Sequence, residues 1–459
     1  MIKLRKAAIS GFLTILIFII IVMFVYGDQS MISPNLEYIT AYFGFGTDTQ
    51  PMGFLTFTFT LLAAFSMVIF GILTDKYKRK WICFSGSLTY SIFAIATFFI
   101  PEGENGYWMF FLARIVNGIG FGAIIPTIFS LIGDLVSKED RSKGYSFFSI
   151  ASLLGQGIGM ALASILYQAI PDWKLPFMLL GICNLIASLL LLLIKEPSRI
   201  GKQTVIDEIK IDKEALVYSY RIKLSDLKEV YKKKSNLWLM INFVDTIPTG
   251  IILFLIFFYM SEVHNITPDN TTIILVAILL STLIGTVVFG GILGDMLFKK
   301  GYKKARVIIA LIGNVAPIPF VYIALLIPFS VPDGASLGEI LSDPNVILML
   351  VLMMIGLFLN GGTNGNWYST VVDVNLPEHR GTVLATANLF DLIGRAVGPL
   401  IGSIIATNYG MTAGMASSIV FWIFLPFFWI PVLKNVVNDM DSVDSVFNER
   451  LEEIKSTIK

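Results

Sequence analysis

The chain has 459 residues, 55% of them hydrophobic and only 15% charged, with a net charge of +1 and a mean hydropathy of +0.75. A soluble chain of this length carries more charge, and a near-neutral balance gives nucleic acid nothing to bind. Cys83 and Cys183 both lie inside apolar runs, so they make neither a disulfide framework nor a metal-ligand spacing.

Apolar runs of about twenty residues, each enough for a bilayer core of roughly 30 Å, recur along the whole chain. They predict twelve spans: 7–30, 52–74, 81–100, 107–132, 144–169, 175–194, 237–260, 271–294, 305–327, 345–371, 381–407 and 413–433. The first run follows Lys3, Arg5 and Lys6 but is too long for a signal peptide and lacks a small-x-small cleavage site. It therefore reads as an uncleaved first helix. Putting the N-terminus inside gathers Lys76, Lys78, Arg79, Lys80, Lys138, Arg141, Lys143, the 195–236 segment, Lys299 to Arg306 and Arg380 on one side, leaving essentially Lys174 on the other. That asymmetry predicts cytoplasmic termini in an integral protein of the cell membrane.

Segment 195–236 carries eleven basic and seven acidic residues and no run long enough to span. Leu224, Leu227, Val230 and Tyr231, after a possible cap at Ser225, have the spacing of a surface helix under the bundle. Val443, Phe447, Leu451, Ile454 and Ile458 give the C-terminal tail a similar amphipathic stretch. The expected organisation is a six-helix bundle over 1–194, a cytoplasmic linker over 195–236, a second six-helix bundle over 237–433 and a cytoplasmic tail over 434–459.

The two bundles read as repeats. Gly71-Ile-Leu-Thr-Asp75, with Lys78, Arg79 and Lys80, returns as Gly291-Ile-Leu-Gly-Asp295 followed by Lys299, Lys300, Lys303 and Lys304. Asp134, Glu139, Arg141, Gly155 and Gly159 return as Asp373, Glu378, Arg380, Gly394 and Gly398, every pair at one offset of 239. A duplicated six-helix unit follows. In each loop copy the glycine is expected to let two helices approach closely, the aspartate to sit at the membrane edge, and the basic cluster to stay in the cytosol.

The G-x-L-x-D pattern with basic residues after it resembles the signature loop of the major facilitator superfamily. The fold implied is all-α and polytopic: twelve transmembrane helices in two pseudo-symmetric six-helix halves. Within the superfamily the first half looks most like the spinster group. The carrying residues are Tyr26-Gly-Asp28-Gln29 with Pro34, the Gly71 to Lys80 loop, Arg114-x-x-x-Gly118-x-Gly120 with Pro126, Gly155-x-Gly157-x-Gly159 and Glu196-Pro197-x-Arg199. Thr386-Ala-Asn388 and Gly398-Pro399 extend the likeness into the second half. The resemblance implies a secondary transporter of lysolipids or sphingolipids, proton-coupled in several members. Two departures stand out: Gln29 replaces the family's arginine after the aspartate of span one, and Phe121 replaces an acidic residue in span four.

Ionisable groups inside a membrane are costly, so they are the default functional candidates. Five fall inside the expected spans: Asp28, Arg114, Asp245, Asp391 and Arg395. Asp28 and Arg114 have compatible depths, roughly 10 Å from one face at ~1.5 Å per residue, and a carboxylate beside a guanidinium can act as a proton-sensitive switch or as a permanent pin between helices. Asp28 is the coupling candidate of the first half. Asp245 and Asp391 come out near the midplane, with Arg395 one turn beyond Asp391 on the same face; Asp245 is the reserve coupling residue. Asn242, Asn388, Asn364 and Gln156 can add hydrogen bonds. The run Asn360-Gly-Gly-Thr-Asn364-Gly-Asn366-Trp367 suggests either a pliable cavity-facing half-helix or tight small-residue packing. Trp367 and Tyr368 read as interfacial aromatics, and His264 and His379 as loop residues. Gly71, Asp75, Arg79, Lys80, Gly291 and Asp295 are expected to control the conformational change, with the acids resting against a helix N-terminus such as that near Gly381.

No G-x-x-x-x-G-K-[ST] appears, which disfavours an ATP-driven pump, and no His-Glu-x-x-His, paired histidine or cysteine pair suits a membrane enzyme. A transporter-like receptor or scaffold is the remaining rival. The expectation is a monomeric secondary transporter without cofactor or metal, embedded among membrane lipids. It moves an amphipathic, lysolipid-like substrate, with or without protons. Small organic anions, sugar phosphates or drug-like compounds are the alternative cargo, with Arg114 and Arg395 as anion partners.

Overall fold

The computed structural model describes residues 2–135, 141–193 and 230–458, with the side chains of some helical residues, Asp75, Asn242 and Asn364 among them, left undescribed. Among these residues every regular element is helical. Among the described residues eleven helices are long and apolar enough to cross a membrane, from Gln50–Thr74 to Met411–Val446. The 29-residue helix Ile2–Ser30 stands in the place of the first span. Spans are numbered one to twelve below.

The repeat read from the sequence is a repeat in space. In the first half span one packs on span five, span two on span four, and span three on spans four and six. In the second half span seven packs on span eleven, span eight on span ten, and span nine on spans ten and twelve. The offset of 239 pairs equivalent glycines at equivalent contacts. A Cβ at Gly159 would collide with the Gly27 carbonyl of span one, and one at Gly398 would reach within 2.6 Å of the Ile247 carbonyl of span seven. These glycines are there because the backbones touch.

Spans two and eleven, and spans five and eight, join the halves. The hydrogen bonds at this seam cluster at the end of the bundle away from the basic loops. Ser33 donates to the Phe254 carbonyl at 3.0 Å, Ser261 to Glu37 at 2.7 Å and Thr407 to Asp48 at 2.9 Å, while the Ser164 and Thr272 hydroxyls meet at 2.8 Å. Lys174, the lone cation expected at this far end, reaches the Tyr42 hydroxyl at 2.9 Å.

Three elements depart from the expected plan. Span eight carries a π-helical stretch, Thr286–Leu293, and span ten is interrupted at Gly361 between Pro344–Asn360 and Gly362–Asp373. The C-terminal tail is no separate element. One 48-residue helix runs from Met411 to Ile458, with Val436, Met440 and Val443 at 5% exposure or less. Its extension is fastened to the second half, since the Ser235 amide donates to Asp439 at 3.1 Å and Lys303 pairs with Asp441 at 2.5 Å. Most of the expected linker helix lies outside the described residues; of it, Val230 is buried and the Tyr231 hydroxyl lies 3.0 Å from Thr386 of span eleven.

Candidate functional site

The expected pairing of Asp28 with Arg114 is present. One Arg114 Nη donates to Asp28 Oδ2 at 2.6 Å, and a third group, the Tyr90 hydroxyl of span three, donates to the same oxygen at 2.5 Å. The guanidinium lies over the rings of Phe59 and Phe177 at 5.0 and 5.6 Å. Exposure is 1% for Arg114 and 2% for Asp28. Three spans are thereby pinned around one sealed carboxylate. That geometry favours the permanent pin over the proton-sensitive switch, because water does not reach the acid. Sequence reasoning missed Tyr90; a lone tyrosine inside an apolar run carries no pairing signal. Phe121 is buried and packs edge-on to Tyr26 at 5.3 Å.

The second cluster forms where span seven meets span eleven. Span seven begins as Lys234–Ile241, tightens into a 3-10 turn over Asn242–Asp245 and resumes as Thr246–His264. Short non-α stretches within a helix often mark functional hinges, and this one places Asp245. The next residue, Thr246, donates to the Asp391 carbonyl at 2.9 Å, and Gly250 packs onto the Arg395 carbonyl. Near the middle of the 33-residue helix Pro377–Tyr409, Arg395 Nε meets Asp391 Oδ2 at 3.2 Å. The two side chains are 48% and 33% exposed. Charges at this depth are costly against lipid, which makes this partly exposed pair the candidate site of the second half. Asp245 feels the charges of Asp391 and Arg395, and Tyr26 of span one feels Arg395, Tyr368 and Asp391. Tyr368 donates to Asn388 at 3.0 Å.

Several expectations are corrected here. Tyr368 is bonded to Asn388 of span eleven, while Trp367 donates to the Leu239 carbonyl at 3.0 Å. The glycines of span ten serve packing: a Cβ at Gly361 would strike Gly285 and Thr286 of span eight, and one at Gly365 would strike Gly290. His264 is no loop residue. It ends the helix Thr246–His264, is buried, stacks on Phe329 at 3.8 Å and lies 3.0 Å from the Tyr259 hydroxyl. Gln156 contributes its backbone carbonyl, which accepts from Ser30 at 2.9 Å. The side chains of Asn242 and Asn364, and that of His379, fall outside those described.

At the basic end the signature glycines do not act as expected. A Cβ at Gly71 or Gly291 would meet open space; in the second copy the close approach is made by Gly290, on Gly361, and Gly294, on Asn366. Among the described residues the partner of Asp295 is Arg306, at the start of span nine, which holds it at 2.6 Å, pairs as well with Asp373 at the end of span ten, and lies over the Phe298 ring at 4.1 Å. The sequence pattern grouped Arg306 only with the basic cluster and gave no sign of this double pairing. In the first copy Lys80 donates to the Leu192 carbonyl at 2.8 Å, a cation closing the end of span six, and Arg79 is buried at 3% exposure instead of standing in the cytosol. The Asp75 side chain is outside those described.

A sequence profile of the Major Facilitator Superfamily matches residues 18–373. The chain belongs to this superfamily. It is 31% identical over 160 residues to the mouse sphingosine-1-phosphate transporter SPNS2, covering 34% of this chain and 28% of that protein. It is 30% identical over 178 residues to human protein spinster homolog 1, covering 38% of this chain and 32% of that protein. The matched stretches thus span about a third or less of these curated relatives. Among solved structures, a bacterial homolog of the human lysosomal transporter spinster, in an inward-facing and unoccupied conformation, superposes with a TM-score of 0.72 at 17% identity, covering 94% of this chain and 98% of that one. A D-xylose–proton symporter superposes with a TM-score of 0.67 at 16% identity, covering 92% and 96%.

Proposed function

We propose that the protein is a secondary transporter that moves an amphipathic, lysolipid-like molecule across the membrane by alternating access. The observation that carries this reading is the contrast in exposure along the bundle. Asp391 and Arg395 are 33% and 48% exposed midway along their helix, while the far end is latched by Ser33–Phe254, Glu37–Ser261, Ser164–Thr272 and Asp48–Thr407. An accessible middle and a latched far end make one of the two states such a cycle needs. The basic end is cytoplasmic in this reading, by the distribution of Lys and Arg. The lipid-like cargo follows from the likeness to the spinster relatives.

Small organic anions remain the second reading, favoured by the half-exposed Arg395 guanidinium. The coupling ion, where one is used, is assigned to Asp245 in preference to the sealed Asp28. Counterflow in proteoliposomes tests the function: preloaded lysolipid should drive uptake of labelled lysolipid, and a Ser164→Cys/Thr272→Cys crosslink should stop it by fixing the far end shut. Uptake unaffected by that crosslink contradicts the cycle, and the absence of any counterflow with lysolipids, organic anions or sugar phosphates contradicts the transporter.

A further inference from the structure

We propose that His264 is a proton-operated latch at the far end of the second half: on taking a proton it turns the Tyr259 hydroxyl over to span nine and so fastens spans seven and nine together. The latch adds control by the pH on the far side to the transporter reading above, and only its effect on cycling rests on that reading.

A count of donors leads there. Nδ1 of His264 lies 2.9 Å from the Phe329 carbonyl and Nε2 lies 3.0 Å from the Tyr259 hydroxyl, which in turn donates to the Leu325 carbonyl at 3.0 Å. A carbonyl only accepts, so Nδ1 carries a hydrogen in either charge state of the ring. In the neutral ring Nε2 is then a bare acceptor. The single Tyr259 proton cannot serve both Nε2 and Leu325, and it goes to the imidazole nitrogen, the more basic of the two. Leu325, in the last turn of the helix Pro317–Leu326 where carbonyls have no donor within the helix, loses this partner. With Nε2 protonated the whole set closes: Nδ1 donates to Phe329, Nε2 to Tyr259, and Tyr259 to Leu325. One proton therefore moves a hydrogen bond from inside span seven to the contact between spans seven and nine.

The surroundings isolate the switch. His264 is buried, stacks on Phe329, and is the one titratable group lining a cavity of about 580 Å³ bounded also by Val263, Leu325, Ile327 and Thr412. The cavity gives a proton its way to the ring. Among the described residues the other titratable side chain bonded to His264 is Tyr259. Glu262, two residues back on the same helix, does not share its face. In the loop after span nine Asp333 accepts from Asn265 and Glu339 from Ser336, and Tyr322 of span nine is exposed. Residues 411–418 of span twelve include no titratable group, and Asp269 of span eight acts on Tyr38 of the first half. Span seven also carries Phe254 and Ser261, which hold Ser33 and Glu37 across the seam. Bracing its end on span nine steadies that seam, so acid on the far side keeps it closed and neutral pH loosens it.

The chain holds two histidines, so His379→Gln protein, isotope-labelled at histidine nitrogen and reconstituted at full length in lipid vesicles, shows His264 alone by solid-state NMR. As pH falls from about 8 to about 5, Nε2 should pass from bare to protonated while Nδ1 keeps its hydrogen throughout. Hydrogen exchange at residues 325–331, corrected for its intrinsic pH dependence, should slow by roughly fivefold over the same step, the weight of one net hydrogen bond. Tyr259→Phe should abolish the slowing while His264 still titrates. An Nε2 that does not change between about pH 8 and about pH 5 overturns the latch, as does a titration that leaves exchange at 325–331 unchanged or a slowing that survives in Tyr259→Phe protein. The first two of these need no variant of Tyr259 or His264, so they decide the matter even if Tyr259→Phe does not fold. In proteoliposomes, counterflow should slow as far-side pH falls, and less so in Tyr259→Phe; the same pH dependence in both proteins overturns control of cycling by the latch. The NMR and exchange steps in a protein with no counterflow of any probe uphold the latch and sink the transporter alone.

Discussion

Asn236 and Asn375 exchange side-chain amide hydrogen bonds at the basic end, 2.7 Å in one direction and 2.6 Å in the other, with neither side chain exposed. The pair ties the start of span seven to the chain just beyond span ten. Each amide also bonds a backbone carbonyl, Val230 for Asn236 and Val371 for Asn375. Lys233 reinforces the same corner by donating to the Val374 carbonyl at 2.9 Å.

Asn236→Ala should therefore leave the Asn375 amide buried and half-satisfied, at a cost of about 1–3 kcal/mol. Thermal unfolding of the purified protein checks this. An Asn236→Leu/Asn375→Leu double variant, which strands no polar partner, should lose less than the sum of the two single changes.

Removing one member of the sealed Asp28–Arg114 pair strands a buried charge. Arg114→Ala should cost about 3–5 kcal/mol, and the Asp28→Asn/Arg114→Gln double variant should be more stable than Arg114→Gln alone. If the pair is a pin, Asp28→Asn protein that folds should still accumulate substrate under a pH gradient, while Asp245→Asn should not. The reverse result in proteoliposomes would return the coupling role to Asp28.

Arg306 joins Asp295, which is 53% exposed, to Asp373, which is 20% exposed. Asp295→Asn should change stability by no more than about 1 kcal/mol, because Arg306 keeps its second partner. It should slow cycling more than it weakens substrate binding, as expected of a group that biases a conformational equilibrium. Arg306→Ala should slow counterflow further, since it removes the shared partner of both acids at once; a variant that binds poorly but cycles normally would remove this corner from the conformational machinery.

Outside the membrane, Glu339 closes a capping box with Ser336, whose backbone amide and hydroxyl both bond the Glu339 carboxylate at 2.8 Å. These bonds hold its pKa below the ordinary 4.5. A depressed carboxylate stabilises the fold above the unfolded value and loses that contribution as pH falls through the folded one. Hydrogen exchange at residues 336–341 should accordingly be flat at neutral pH and lose protection only below about pH 4.5, and Glu339→Gln should remove the pH step.

What the sequence determined is what depends on period, length and charge along the chain. Twelve apolar runs, a common offset of 239 and a one-sided distribution of Lys and Arg carry the twelve-helix duplicated fold, because the bilayer makes each run a helix before any tertiary contact forms. Depth was legible as well, since rise per residue converts position into height, and Asp28 and Arg114 do meet. What only the tertiary structure decided is rotation about each helix axis. It gave Asp28 its second partner in Tyr90, put the close helix contact at Gly290 and Gly294 instead of Gly291, and sealed Asp28 while leaving Asp391 and Arg395 partly exposed. A helix that is apolar all round has no stripe to say which face turns inward. Side-chain packing between helices chooses that face, and the pairing and exposure of every candidate group follow from it.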